Sequence, residues 1–148
     1  MFLRASMVTV CAAAGVLSCS DPAGPLALRP LVGTYIADSI HNQTSFDTGS
    51  EITGFGASLI LFLRADSTLG GHLAIPAFFM PDGLPAVDDS LHGEWTANED
   101  GFRIYGPLGS LLTAVDFRVA GDTARAHIIV KGFPLDPFGY RLRLLRQP

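Results

Sequence analysis

Apolar and polar residues change places every second position through much of the chain. Leu91, Gly93, Trp95 and Ala97 alternate with His92, Glu94, Thr96 and Asn98. Val115, Phe117 and Val119 alternate with Asp116, Arg118 and Ala120. Ala126, Ile128 and Val130 alternate with His127, Ile129 and Lys131, and Tyr140, Leu142 and Leu144 with Arg141, Arg143 and Leu145. That period belongs to strands with one face on a core. Ser58 to Arg64 is apolar on both faces, which suits a strand covered on both sides or packed against a loop. Turn residues separate the runs: Ala65-Asp66-Ser67, Asn98-Glu99-Asp100-Gly101 and Gly121-Asp122. The spacing predicts eight strands, at 31–38, 57–64, 68–75, 91–97, 102–106, 113–120, 123–131 and 139–146. Strands joined by hairpins make a meander, and eight of them can close into an antiparallel up-and-down barrel without free edges. The expected core is Leu31, Tyr35, Leu59, Leu61, Leu73, Ile75, Trp95, Phe102, Ile104, Phe117, Val119, Ile128, Val130, Leu142 and Leu144.

The first residues follow a different rule. Arg4 precedes an uncharged run from Ala5 to Leu17, about 13 residues long. A spanning helix needs about 20 apolar residues, so the run reads as an export signal. It ends in Val16-Leu17-Ser18-Cys19, which resembles the lipobox of bacterial lipoproteins. The resemblance implies removal of residues 1–18 and acylation (palmitate and related chains) of Cys19. Other readings are a secretory signal cleaved near Ala14 or Ser18, or an uncleaved anchor. Ser20, rather than Asp, after the Cys implies the outer membrane by the same resemblance. Residues 19–30, with Pro22, Pro25 and Pro30, read as a lipidated Cys and a flexible tether. The barrel domain is 31–148.

Composition narrows the function. The 148 residues are 48% hydrophobic and 16% charged, with net charge −4, which becomes −5 once Arg4 leaves. One lysine, Lys131, in a mildly acidic chain argues against nucleic acid as a partner. Sixteen Gly and ten Pro suit short strands and turns. The two cysteines, Cys11 and Cys19, both lie in the leader region, so a processed chain has no internal disulfide and rests on its apolar core.

The chain also resembles itself. Leu31-Val32-Gly33-Thr34-Tyr35 is similar to Leu91-His92-Gly93-Glu94-Trp95, and Thr68–Ile75 to Thr123–Val130, which suggests two four-strand halves. The opener Leu-x-Gly-x-aromatic resembles the Gly-x-Trp signature of lipocalin-like (calycin) barrels. Ala65-Asp66-Ser67-Thr68, Gly121-Asp122-Thr123 and the closing Tyr140-Arg141-Leu142-Arg143-Leu144 fit the same comparison. The resemblance implies a monomeric barrel that holds a small apolar ligand. It also implies a barrel floor in which Tyr35 packs under Arg141 or Arg143. The chain departs from the family in having Tyr at the first opener, and in lacking the long C-terminal helix and the disulfides.

Two segments carry candidate binding residues. The connection His41 to Gly56, with Phe46, Ile52 and Phe55, reads as a gate over the barrel mouth or as a plug. Pro76-Ala77-Phe78-Phe79-Met80-Pro81 reads as a pocket lining, a partner patch or a core cap. The candidate ligand set is Phe46, Phe55, Phe78, Phe79, Met80 and Trp95. Asp82, Asp88 and Asp89 match no calcium loop and read as solvated acids. His41, His72, His92 and His127 lack metal-ligand spacing, so no metal or cofactor is expected. Gly109-Ser110-Leu111 is not a nucleophile elbow, and nothing points to an enzyme. The expectation is an envelope lipoprotein, membrane-bound through lipid on Cys19, whose barrel binds a small apolar ligand. The alternative is an interaction or inhibitor module with a filled barrel and an envelope protein as partner.

Overall fold

The computed structural model describes residues 31–43, 49–80, 84–106, 112, 114–130 and 138–148. The leader, the tether and Phe46 lie outside them. The described residues form eight strands: β1 Gly33–Gln43, β2 Ser58–Leu63, β3 Thr68–Ile75, β4 Val87–Asn98, β5 Gly101–Tyr105, β6 Ala114–Ala120, β7 Thr123–Val130 and β8 Phe138–Arg146. Each pairs antiparallel with its neighbour in sequence, and β8 pairs back with β1, so the sheet is a closed up-and-down barrel.

Strand β1 runs five residues past its expected end. A bulge lies between Ala37 and Ser39 in the ladder with β8. The extra residue, Asp38, stays outside, and the inward set changes from Tyr35 and Ala37 to Ile40. A bulge of this kind bends and twists a strand, which helps a sheet curl shut. Gly71 assists from β3: a Cβ there would stand 2.2 Å from the Ile60 carbonyl oxygen, so only glycine permits this approach. Strand β4 begins at Val87, so Asp88 and Asp89 belong to it and not to a loop.

The two ends differ. Short turns join β2 to β3, β4 to β5 and β6 to β7 at one end, the floor, where β1 starts and β8 finishes. Long connections gather at the other end, the mouth. The floor is filled by aromatic rings. Phe102 stacks on Phe117 at 4.8 Å and meets Tyr35 at 5.3 Å and the edge of Trp95 at 6.4 Å. Both polar tips are satisfied. The Trp95 indole N–H donates to the Arg64 carbonyl at 2.9 Å, and the Tyr35 hydroxyl to the Leu31 carbonyl at 2.9 Å. Burial pushes the Tyr35 phenol above its usual range, against the nearby Arg146 charge.

The expected inward residues are buried, with three qualifications. Leu31 and Val119 are partly buried against the core, and the Val130 side chain lies outside the described ones. Ser58–Leu63 is not covered on both sides, for Phe62 is exposed on the outer wall. The two-half pattern also fails: Tyr35 and Trp95 lie three strands apart, whereas His72 and His127 lie four apart. A duplication would require one shift.

Trp95 is fully buried among these rings. Trp95→Ala is expected to lower stability by about 3–5 kcal/mol in a urea unfolding experiment. A loss below about 1 kcal/mol would place Trp95 outside the packed interior.

Candidate functional site

Among the described residues, two short 3₁₀ turns stand at the mouth, Thr53–Phe55 and Ala77–Phe79. The first is tied to the end of β1. Ile52 donates its N–H to the Ile40 carbonyl at 2.8 Å, and Asn42 to the Ser50 carbonyl at 3.1 Å. Ile52 is fully buried and plugs the barrel beneath the turn. The Glu51 carboxylate accepts the Thr53 hydroxyl, the Thr53 N–H at 2.8 Å and the Gly54 and Ile40 N–H groups at 3.4 Å. These donors, led by the Thr53 hydroxyl, pull its pKa from 4.5 to about 2.

The second turn follows Pro76, whose extended backbone starts it, and the Tyr140 side chain holds it down. The Tyr140 hydroxyl donates to the Phe79 carbonyl at 2.9 Å and lies 3.3 Å from the Met80 sulfur. Burial raises this phenol well above its usual range. Met80 is buried, so Phe78-Phe79-Met80 passes step by step from solvent through a partly buried ring to the plug. Phe79 packs partly on the core, meeting Phe55 at 5.6 Å and Phe78 edge-on at 5.2 Å. Phe78 is 89% exposed, Phe55 69% and Leu84 39%. The rim thus carries an exposed aromatic cluster on anchored turns.

The candidate ligand residues do not converge. Phe55, Phe78 and Phe79 form the rim, Met80 sits in the plug, and Trp95 lies in the floor at the opposite end. Phe46 is outside the described residues. Tyr35, Trp95, Phe102, Ile104, Leu91, Leu61, Leu59, Ile40 and Leu144 are fully buried. A side chain that water cannot touch borders no water-sized void, so the barrel is packed around these residues. One open depression of about 490 Å³ lies on the outer wall, lined by Thr68, His92, Gly93, Glu94, Tyr105 and Gly106.

The floor residues need correction. Arg141 and Arg143 alternate with the inward Leu142 and Leu144 and therefore point outward. Arg143 binds Asp38 through two bonds of 2.6 and 3.0 Å on the outer wall. The basic residue near Tyr35 is Arg146, the next inward position, which donates to the Val32 carbonyl at 2.7 Å. Continuing the period of two along β8 identifies it.

Among the described residues no three His, Cys, Asp or Glu side chains are grouped to hold a metal. His72 pairs instead with Asp88 at 2.7 Å on the exposed outer wall. No protein-family model matches the chain, and no curated protein is similar to it at a significant level. What the fold defines is a class, the eight-stranded up-and-down closed β-barrel, an architecture compatible with a lipocalin-like fold.

Glu51 makes the first mouth turn sensitive to acid. The folded chain holds its carboxylate ionised below the pH at which the unfolded chain protonates, so its contribution is present above pH 4.5 and lost as pH falls toward about 2. Glu51→Gln is expected to lower the urea midpoint near neutrality and to flatten its decline over that window. An unchanged slope would remove Glu51 from the anchoring of this turn.

Proposed function

We propose that the chain is an exported, lipid-anchored barrel that acts as a docking module. Its mouth rim binds an apolar segment of a partner protein in the cell envelope. The observation that carries this reading is the exposure of Phe55, Phe78 and Leu84 above fully buried side chains. Exposed apolar clusters of this kind mark interaction surfaces. Aromatic rings on tethered turns lose little freedom on binding, which makes them good anchors. A ligand inside the barrel would have to displace packed side chains, and eight strands leave little room beyond their own residues. The lipocalin-like resemblance therefore supplies the scaffold in this reading, and not the ligand class.

Anchoring rests on the lipobox at Cys19 and the proline-rich tether. Several acyl chains, at about 0.8 kcal/mol per buried methylene, hold a protein firmly on a bilayer. The tether joins the barrel at the floor, which leaves the mouth free.

A photo-crosslinking amino acid at position 78, in cells, is expected to trap one discrete protein. The adduct should be lost in the Phe55→Ser background and absent when the probe replaces Thr96, an exposed outer residue near the floor. Equal adducts from both positions, or one insensitive to Phe55→Ser, would refute rim binding. Metabolic labelling with a palmitate analogue should mark the wild-type chain and not Cys19→Ala. Equal labelling of the two would refute the anchor.

A further inference from the structure

The outer wall across β6, β7, β8 and β1 gathers arginines in a protein of net charge −4. The register sets Arg118 opposite Arg125, and Arg125 opposite Arg143. One step toward the mouth, Arg141 lies between His127 and His41. Like charges directly opposite each other weaken a sheet, so folding gains nothing by assembling them. Acids answer only part of the group. Asp38 holds Arg143, and Asp100 stands 3.8 Å from Arg118. Asp116, also on β6, is engaged by Arg103 at 2.8 Å. Arg125 and Arg141 are exposed and have no acidic partner among the described residues.

Apolar side chains flank the arginines on the same wall. Ile129 is 60% exposed on the mouth side, and Leu145 and Ile36, cross-strand partners, are each 38% exposed on the floor side. We propose that this wall seats on the surface of an anionic phospholipid bilayer. The guanidinium groups meet lipid phosphates, and Ile129, Leu145 and Ile36 enter the boundary between headgroups and acyl chains. An acidic protein would engage the arginines but leave the flanking apolar residues without a role. The wall's nearness to a membrane rests on the Cys19 anchor proposed above. The chain enters the floor at Leu31, beside the β1–β8 seam. The twelve residue steps from Cys19 to Leu31 span at most roughly 40 Å, so a lipid on Cys19 keeps the wall within reach of the bilayer. Seating lays the barrel on its side, with the rim open laterally.

The test uses the full chain carrying Cys19→Ser, so that acylation contributes nothing. Flotation measures partitioning to phosphatidylcholine vesicles and to vesicles with about 30% phosphatidylglycerol, and the ratio between them isolates the charge effect. The ratio is expected to exceed about tenfold at low salt and to collapse at high salt. Arg125→Gln with Arg141→Gln should lower it by more than about tenfold, because each arginine near such a surface is worth about a fivefold preference. Arg125→Lys with Arg141→Lys should keep most of it, and Arg64→Gln, on β2's side of the barrel, should leave it unchanged. A ratio near one, or one indifferent to the double glutamine variant, overturns the proposal. Because acylation is absent throughout, a failed palmitate-labelling result would refute the anchor while leaving the vesicle result intact.

Discussion

Strand β1 is held on both sides, by β2 from Gly33 to Ile36 and by β8 from Tyr35 to Gln43. That double pairing is what turns a meander into a barrel. Without the β1–β8 ladder the sheet would expose two long edges, and the inward rings would face water. The Asp38 bulge lets β1 serve both neighbours, since it bends the strand and resets which residues face inward. The same residue grips Arg143 across the seam through two bonds. An exposed ion pair adds only about 0–1 kcal/mol, so its value lies more in fixing register than in raw stability.

Closure gives the molecule a direction. Tight turns and the Tyr35, Trp95, Phe102 and Phe117 rings seal the floor. The mouth holds its 3₁₀ turns through Glu51 and Tyr140, and from these anchored turns Phe55 and Phe78 stand into solvent. Buried aromatic packing and exposed aromatic surface are thus separated along the barrel axis. The packed end supports the fold, while the other end presents apolar surface at the cost of exposing it. The arginine wall adds a lateral surface of different chemistry, created only when distant strands β1 and β6 to β8 come side by side.

Much of this was legible in the residues. The alternation in β4, β6, β7 and β8 is regular, and each strand lies within a few residues of where the pattern puts it. The extension of β1 was not, because a bulge breaks the period of two and Ser39–Gln43 then resembles a polar loop. The start of β4 was hidden for a related reason: Asp88 and Asp89 lower strand propensity, and pairing with β3 overrides it. The rim was half legible. Prolines around Phe78, Phe79 and Met80 signalled an irregular segment, but which side chain points inward depends on Tyr140, sixty residues away. Arg146 was within reach of simple parity, whereas the opposition of Arg118, Arg125 and Arg143 depends on strand register, which no single segment contains.

The seam can be observed directly by nuclear magnetic resonance of the labelled protein. Close backbone contacts between Ile36 and Leu145 and between Ile40 and Leu142, with slow amide exchange on both strands, are the expected result. They would place β8 against β1 on either side of Asp38. Contacts from β1 to β2 alone, with rapidly exchanging amides along β8's outer edge, would mean an open sheet and contradict the packed interior, the sealed floor and the arginine wall together.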